Sequence, residues 1–142
     1  LQGQGEDVII KNPSLLASCR SKGRCALCGK YCNRREGHHV LCRGMGGGSR
    51  LDVKIHLVCV GSTRTRECDC HSRIDTKEGR ERCLRIVADR EKCQVEDIEE
   101  ALWVLIRLDG KASKYRITEL VRALPEAVRK IVQRELSESG KL

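Results

Sequence analysis

Cys25-Ala26-Leu27-Cys28-Gly29 sets two thiols two residues apart, a gap that lets both thiolates reach one tetrahedral ion. Gly29 leaves room for the tight knuckle that must follow. Further along, His38 and His39 stand side by side ahead of Arg43-Gly44-Met45-Gly46-Gly47-Gly48, and Cys70 is joined directly to His71. Thiolates suit a closed, structural zinc site, whereas imidazoles suit a second site that keeps positions open for water or substrate. Cys70 is expected as the third thiolate. Cys59 and Cys68 compete for the fourth place, and Cys59 is preferred because a ligand at the end of a strand would tie that strand to the next helix. A redox pair is the competing reading of Cys25 and Cys28, but no thioredoxin-like strand and helix surround them.

Adjacent residues on an extended segment point to opposite faces, so of His38 and His39 one can bind a metal while the other meets a water or orients a phosphate. A lone histidine is more often structural. Two in a row before a glycine loop, with a third at His71, favour a site. Arg43 and Arg50 flank that loop, whose glycines permit close backbone approach, and Arg64 and Arg66 add charge nearby. All four are candidate nucleic-acid contacts, with ordinary solvated arginines as the alternative. Cys19, Cys32, Cys42, Cys83 and Cys93 lack such pairing and are expected to behave as small buried hydrophobes.

Composition narrows the setting for this chemistry. A chain of 142 residues with no Phe, one Trp and 2% aromatic residues has few bulky side chains for a core, and bound metal fits that shortage. The net charge of +8 suits a polyanionic partner, and the excess is uneven. Residues 1–75 hold 13 Lys and Arg against 7 Asp and Glu, while residues 76–142 hold 15 against 13. The positive charge thus lies with the cysteines and histidines. No apolar leader or membrane-length run is read, so an internal compartment is expected, where the ten cysteines stay reduced or bind metal.

These residues must be positioned by regular elements. Residues 1–13 read as a tail, and Asn12-Pro13-Ser14 as the start of an N-terminal helix carrying Leu15, Leu16 and Cys19 on one face, with Gly23 as its stop. Val40–Cys42 and Val53–Cys59 read as two strands joined across the glycine turn, followed by a helix around His71, which gives a ββα unit. From about Thr76 the pattern is helical, weakly over Glu81–Lys92 and then strongly through Ile98, Ala101, Leu102, Leu105 and Ile106 to a stop at Gly110. Two more amphipathic segments meet at Pro125. The helices after Thr76 are expected to pack through Ile98, Leu102, Leu105 and Trp103 against the core, or to form a homodimer or other protein contact.

His38-His39, Arg43-Gly44-Met45-Gly46-Gly47, Cys59, Gly61-Ser62-Thr63 and Cys70-His71 together resemble the HNH endonucleases, the His-Me finger group, and more narrowly the small HNH proteins of actinobacterial phages. The resemblance spans roughly residues 14–74. It implies an α+β fold: a zinc-stapled ββα-metal core over residues 14–75, with an N-terminal helix and a C-terminal helical region over 76–142. It also implies DNA cleavage with His39 as general base, and His38 and His71 as ligands of a catalytic Mg2+, Mn2+, Ni2+ or Zn2+. The family's middle residue, usually Asn, orients the base. His56 is its nearest equivalent, although alignment on Cys59 puts Lys54 there. The alternatives are a non-catalytic zinc-stabilised DNA-binding module and a protein-interaction helical module with an accessory core.

Overall fold

The computed structural model describes residues 10–41, 51–108 and 114–140. Cys42, Arg43, Arg50, Gly110 and the glycine run after His39 lie outside the described residues, and so does the side chain of His71. The first helix, α1 (Pro13–Cys19), starts where its sequence predicts: Asn12 Oδ1 accepts the N–H of Leu15 at 3.1 Å and Pro13 fills the first turn. It ends four residues before Gly23, where the Arg20 N–H turns back to the carbonyl of Ala17. Ordered packing begins earlier than residue 14. Ile10 is buried and bridges Leu51, and its carbonyl accepts the N–H of Asp52 at 2.8 Å.

Two small antiparallel sheets follow. Strands β1 (Gly23–Arg24) and β2 (Tyr31–Cys32) form a hairpin around the Cys25–Cys28 turn, and β3 (Arg35–His39) pairs with β4 (Leu57–Gly61), His39 opposite Leu57. Helices α2 (Lys77–Glu91), α3 (Val95–Arg107), α4 (Lys114–Arg122) and α5 (Glu126–Glu138) complete a mixed α+β architecture among the described residues. Both expected strands are shifted. The first lies earlier, over the charged Arg35-Glu36 that carries no strand signal, although Val40 still donates to the carbonyl of His56 at 2.8 Å. The second loses its first half to a 3-10 turn, Lys54–His56. Backbone N–H groups there find a partner outside any sheet: the carboxylate of Glu135 accepts from Ile55 at 2.9 Å and from Lys54 at 3.4 Å.

The helix expected around His71 is a single 3-10 turn, Cys70–Ser72. The α-helix waits for Thr76, whose hydroxyl accepts the N–H of Gly79 at 3.0 Å and caps α2.

One hydrophobic cluster runs from Ile10 through Ile55 and Leu84 to Leu136, so the helices after residue 76 share a core with the strands. Ile98, Ala101, Leu102 and Leu105 on α3 are wholly buried, and Trp103 is partly buried against them. Polar contacts fasten the same seam. Glu135 on α5 is 2% exposed and holds the 3-10 turn together with Arg134, which also reaches Glu91 at 2.5 Å. Arg90 on α2 donates to the carbonyl of Lys54 at 2.6 Å. Leu105→Ala is therefore expected to cost about 2–5 kcal/mol, read as a lower melting temperature. An unchanged midpoint would show that this face is not buried.

Candidate functional site

The knuckle after β1 is shaped by backbone hydrogen bonds: Gly29 N–H donates to the Cys25 carbonyl at 2.8 Å and Cys25 N–H to that of Lys30 at 2.9 Å. Gly29 has φ +76°, the left-handed conformation that a residue with a Cβ rarely adopts. This turn aims Cys25 and Cys28 at a second pair from the segment before α2. The Sγ atoms of Cys25, Cys28, Cys68 and Cys70 lie within 4.8 Å of one another. Four sulfurs about 2.3 Å from a tetrahedral zinc sit about 3.8 Å apart, so this group can hold one such ion.

Cys59 is not in the group. It lends the knuckle its carbonyl, which accepts the Ala26 N–H at 2.9 Å, while its sulfur forms a disulfide with Cys19 at the end of α1. That bond also corrects the expectation that these two thiols are reduced. Cys68 takes the fourth place because its loop is docked: Glu67 accepts the N–H of Asn33 at 2.8 Å and its side-chain amide at 3.1 Å. Gly61 clears the way, since a Cβ there would meet Cys68 Sγ at 2.6 Å.

Cys25 and Cys70 are shifted in opposite directions. Burial raises the Cys25 thiol, but the N–H groups of Cys28, Gly61 and Leu27 outweigh it and bring the pKa down to about 7. Burial and the neighbouring thiols of Cys28 and Cys25 push Cys70 up. Of the remaining cysteines, Cys32 and Cys83 are buried as expected, and burial raises Cys83 to about 11.

Strand β3 delivers the histidine pair, and each imidazole meets a carboxylate. His39 Nε2 lies 2.8 Å from Asp52 Oδ1, and Asp52 Oδ2 accepts the N–H of Asn12 at 3.0 Å, so the residue that caps the start of α1 holds the acid in place. His38 Nε2 lies 3.3 Å from Asp75 Oδ1, next to the α2 cap. Partial burial lowers the His38 pKa, with Asp75 pulling the other way. A neutral imidazole beside an exposed carboxylate is an N/O donor pair that suits a divalent ion. His71 lies in the turn before Asp75, and Arg64 and Arg66 are exposed in the loop before Cys68. Sequence reasoning missed Asp52 and Asp75. For Asp52 one signal existed, since it is the sole acidic residue between Glu36 and Glu67.

His56, expected beside the base, has both ring nitrogens engaged by backbone. Its ring is fully buried, Nδ1 donates to the Leu51 carbonyl at 2.8 Å, and Nε2 accepts the N–H of Leu41 at 3.1 Å. Both nitrogens are occupied by backbone on either side of the segment that follows Leu41. Its ring centroid lies 4.9 Å from that of His39.

Burial lowers the His56 pKa to about 4 from an ordinary 6.5. Because the folded value lies below the unfolded one, its stabilisation is complete above pH 6.5 and is lost as pH falls toward 4, where the unfolded chain alone takes up the proton. A few kcal/mol is at stake. Denaturant titrations from pH 7 to 4 should show a steeper acid loss for the parent than for His56→Gln, and equal slopes would show that His56 does not titrate on unfolding.

No family model matches the chain, and no match was found among curated proteins or solved structures.

Proposed function

We propose that this chain is a metal-dependent DNA endonuclease of the HNH type, hydrolysing phosphodiester bonds with His39 as general base. The observation that carries this reading is the His39–Asp52 pair, 2.8 Å apart, on a strand whose preceding residue, His38, faces Asp75. An ionised carboxylate only accepts, so the proton of neutral His39 sits on Nε2 and the Nδ1 lone pair is left to take a proton from water. The imidazolium that results stays paired with Asp52, which stabilises the charge without moving a proton itself. His39 is partly exposed, as a base that must meet water has to be.

His38 and His71, with Asp75 as an oxygen donor, would hold the catalytic divalent ion. Such an ion, when bound, supplies neutralisation of charge on the phosphate and the departing 3′ oxygen. The element order β3, β4, the turn with His71 and then α2 follows the ββα order that the resemblance implies. The thiolate cluster would staple this core as a zinc site, closed to substrate because all four positions are protein sulfur. The net charge of +8 agrees with a DNA substrate.

A second reading, a zinc-stabilised DNA-binding module, draws on the same pairs: both imidazoles already have carboxylate partners and so could serve packing alone. Incubating the purified protein with plasmid and with branched DNA across a series of divalent ions separates the two. Metal-dependent nicks ending in 3′-hydroxyl and 5′-phosphate support the nuclease. Binding without cleavage in any metal supports the module.

A further inference from the structure

A groove of about 280 Å³ opens beside β3, lined by Leu16, Arg20, Arg34, Glu36, Gly37 and Arg64. The three arginines come from separate places: the end of α1, the approach to β3 and the loop after β4. All three are exposed, and their guanidiniums have no hydrogen-bond or ion-pair partner among the described residues. The one acid in the groove is occupied elsewhere. Glu36 accepts the Ser62 hydroxyl at 3.1 Å, the Thr63 N–H at 3.3 Å and the Thr63 hydroxyl at 3.4 Å. Ser62 Oγ in turn accepts the N–H of Arg64 at 3.1 Å, so Glu36 anchors the loop that carries Arg64 instead of neutralising it. Three free positive charges face a single carboxylate whose oxygens are already bonded.

Glu36 and His38 are two residues apart on β3, on the same face and roughly 7 Å from each other along the strand. That spacing sets the groove beside the histidine pair along the strand. We propose that Arg20, Arg34 and Arg64 form a clamp for the DNA backbone, holding phosphates that flank the one at the histidine pair. The clamp rests on the nuclease reading for the identity of its polyanion. It reads backbone and not base, because guanidiniums on an open groove meet phosphate oxygens without sequence preference. Its arginines differ from those expected at the glycine loop, and two of the three, Arg20 and Arg34, have no spacing signal in the sequence.

The test is fluorescence anisotropy of a labelled duplex with the full chain, with no divalent ion added, over a range of salt concentrations. Each phosphate contact contributes roughly 0.9 to the slope of log affinity against log salt. The variant Arg20→Ala/Arg34→Ala/Arg64→Ala is expected to lower that slope by about 2–3 and to bind at least about tenfold more weakly. A control with the same change in net charge, Arg85→Ala/Arg122→Ala/Lys130→Ala, is expected to keep the parental slope. Zinc content and circular dichroism of each variant establish that it is folded, and the single variants Arg20→Ala and Arg34→Ala serve if the triple is not. A parental slope in the groove variants, an equal loss in the control, or no DNA binding by the parent overturns the clamp. Because binding is read without cleavage, a nuclease that fails to cut but loses slope on groove substitution keeps the clamp and discards the catalysis.

Discussion

His39→Ala is expected to abolish plasmid cleavage, a loss of about 10²–10⁴-fold, while zinc content and DNA binding stay at parental levels. A general base acts on the transition state and contributes little to ground-state affinity, so only the chemical step should suffer. Asp52→Asn tests the same pair from the other side. An amide can present its N–H to Nε2, which would place the imidazole proton on Nδ1 and remove the lone pair that takes the water's proton. Cleavage should fall in that variant also, with DNA binding retained. His38→Ala and Asp75→Ala should lose activity by a different route, weaker binding of the divalent ion, so excess metal should restore part of it. A His39→Ala protein that cuts at the parental rate across the metals that support the parent would leave the zinc-stabilised binding module as the better account.

The second large effect concerns zinc. One ion per chain is expected on metal analysis, and its removal should unfold the protein, since structural zinc contributes about 10–16 kcal/mol against a domain stability of about 5–15 kcal/mol. The ligand set makes the prediction sharper. Cys68→Ser should lose the ion, because Cys68 is one of the four clustered thiols, whereas Cys59→Ser should keep it, because Cys59 is bonded to Cys19. The Cys19–Cys59 bond closes a loop across a separation of 40 residues, worth roughly 4 kcal/mol in the chain-entropy account, so Cys59→Ser should melt lower with its zinc in place. A native spectrum after complete removal of zinc, or full zinc content in Cys68→Ser, would defeat this assignment.

By itself the sequence determined whatever depends on neighbours along the chain. The two-residue gap of Cys25 and Cys28, the Asn12-Pro13 helix start and the apolar periodicity of α3 are local patterns, and each appears as expected. Tertiary structure decided what depends on residues far apart. Cys59 and Cys68 both lie close enough in the sequence to Cys70 to supply the fourth thiolate, and the docking of Glu67 on Asn33 and the disulfide to Cys19 separate them. Asp52 finds His39 because Ile10 and Asn12 fold back onto the chain beside it, a contact across about forty residues that no periodicity reports. The strand expected from Val53 yields to a 3-10 turn because Glu135, some eighty residues later, supplies the acceptor that its N–H groups need. A buried N–H must be paired, but the sequence does not say with what; the partner is chosen by packing, and packing is what brought together the four thiols, the acid beside His39 and the arginines of the groove.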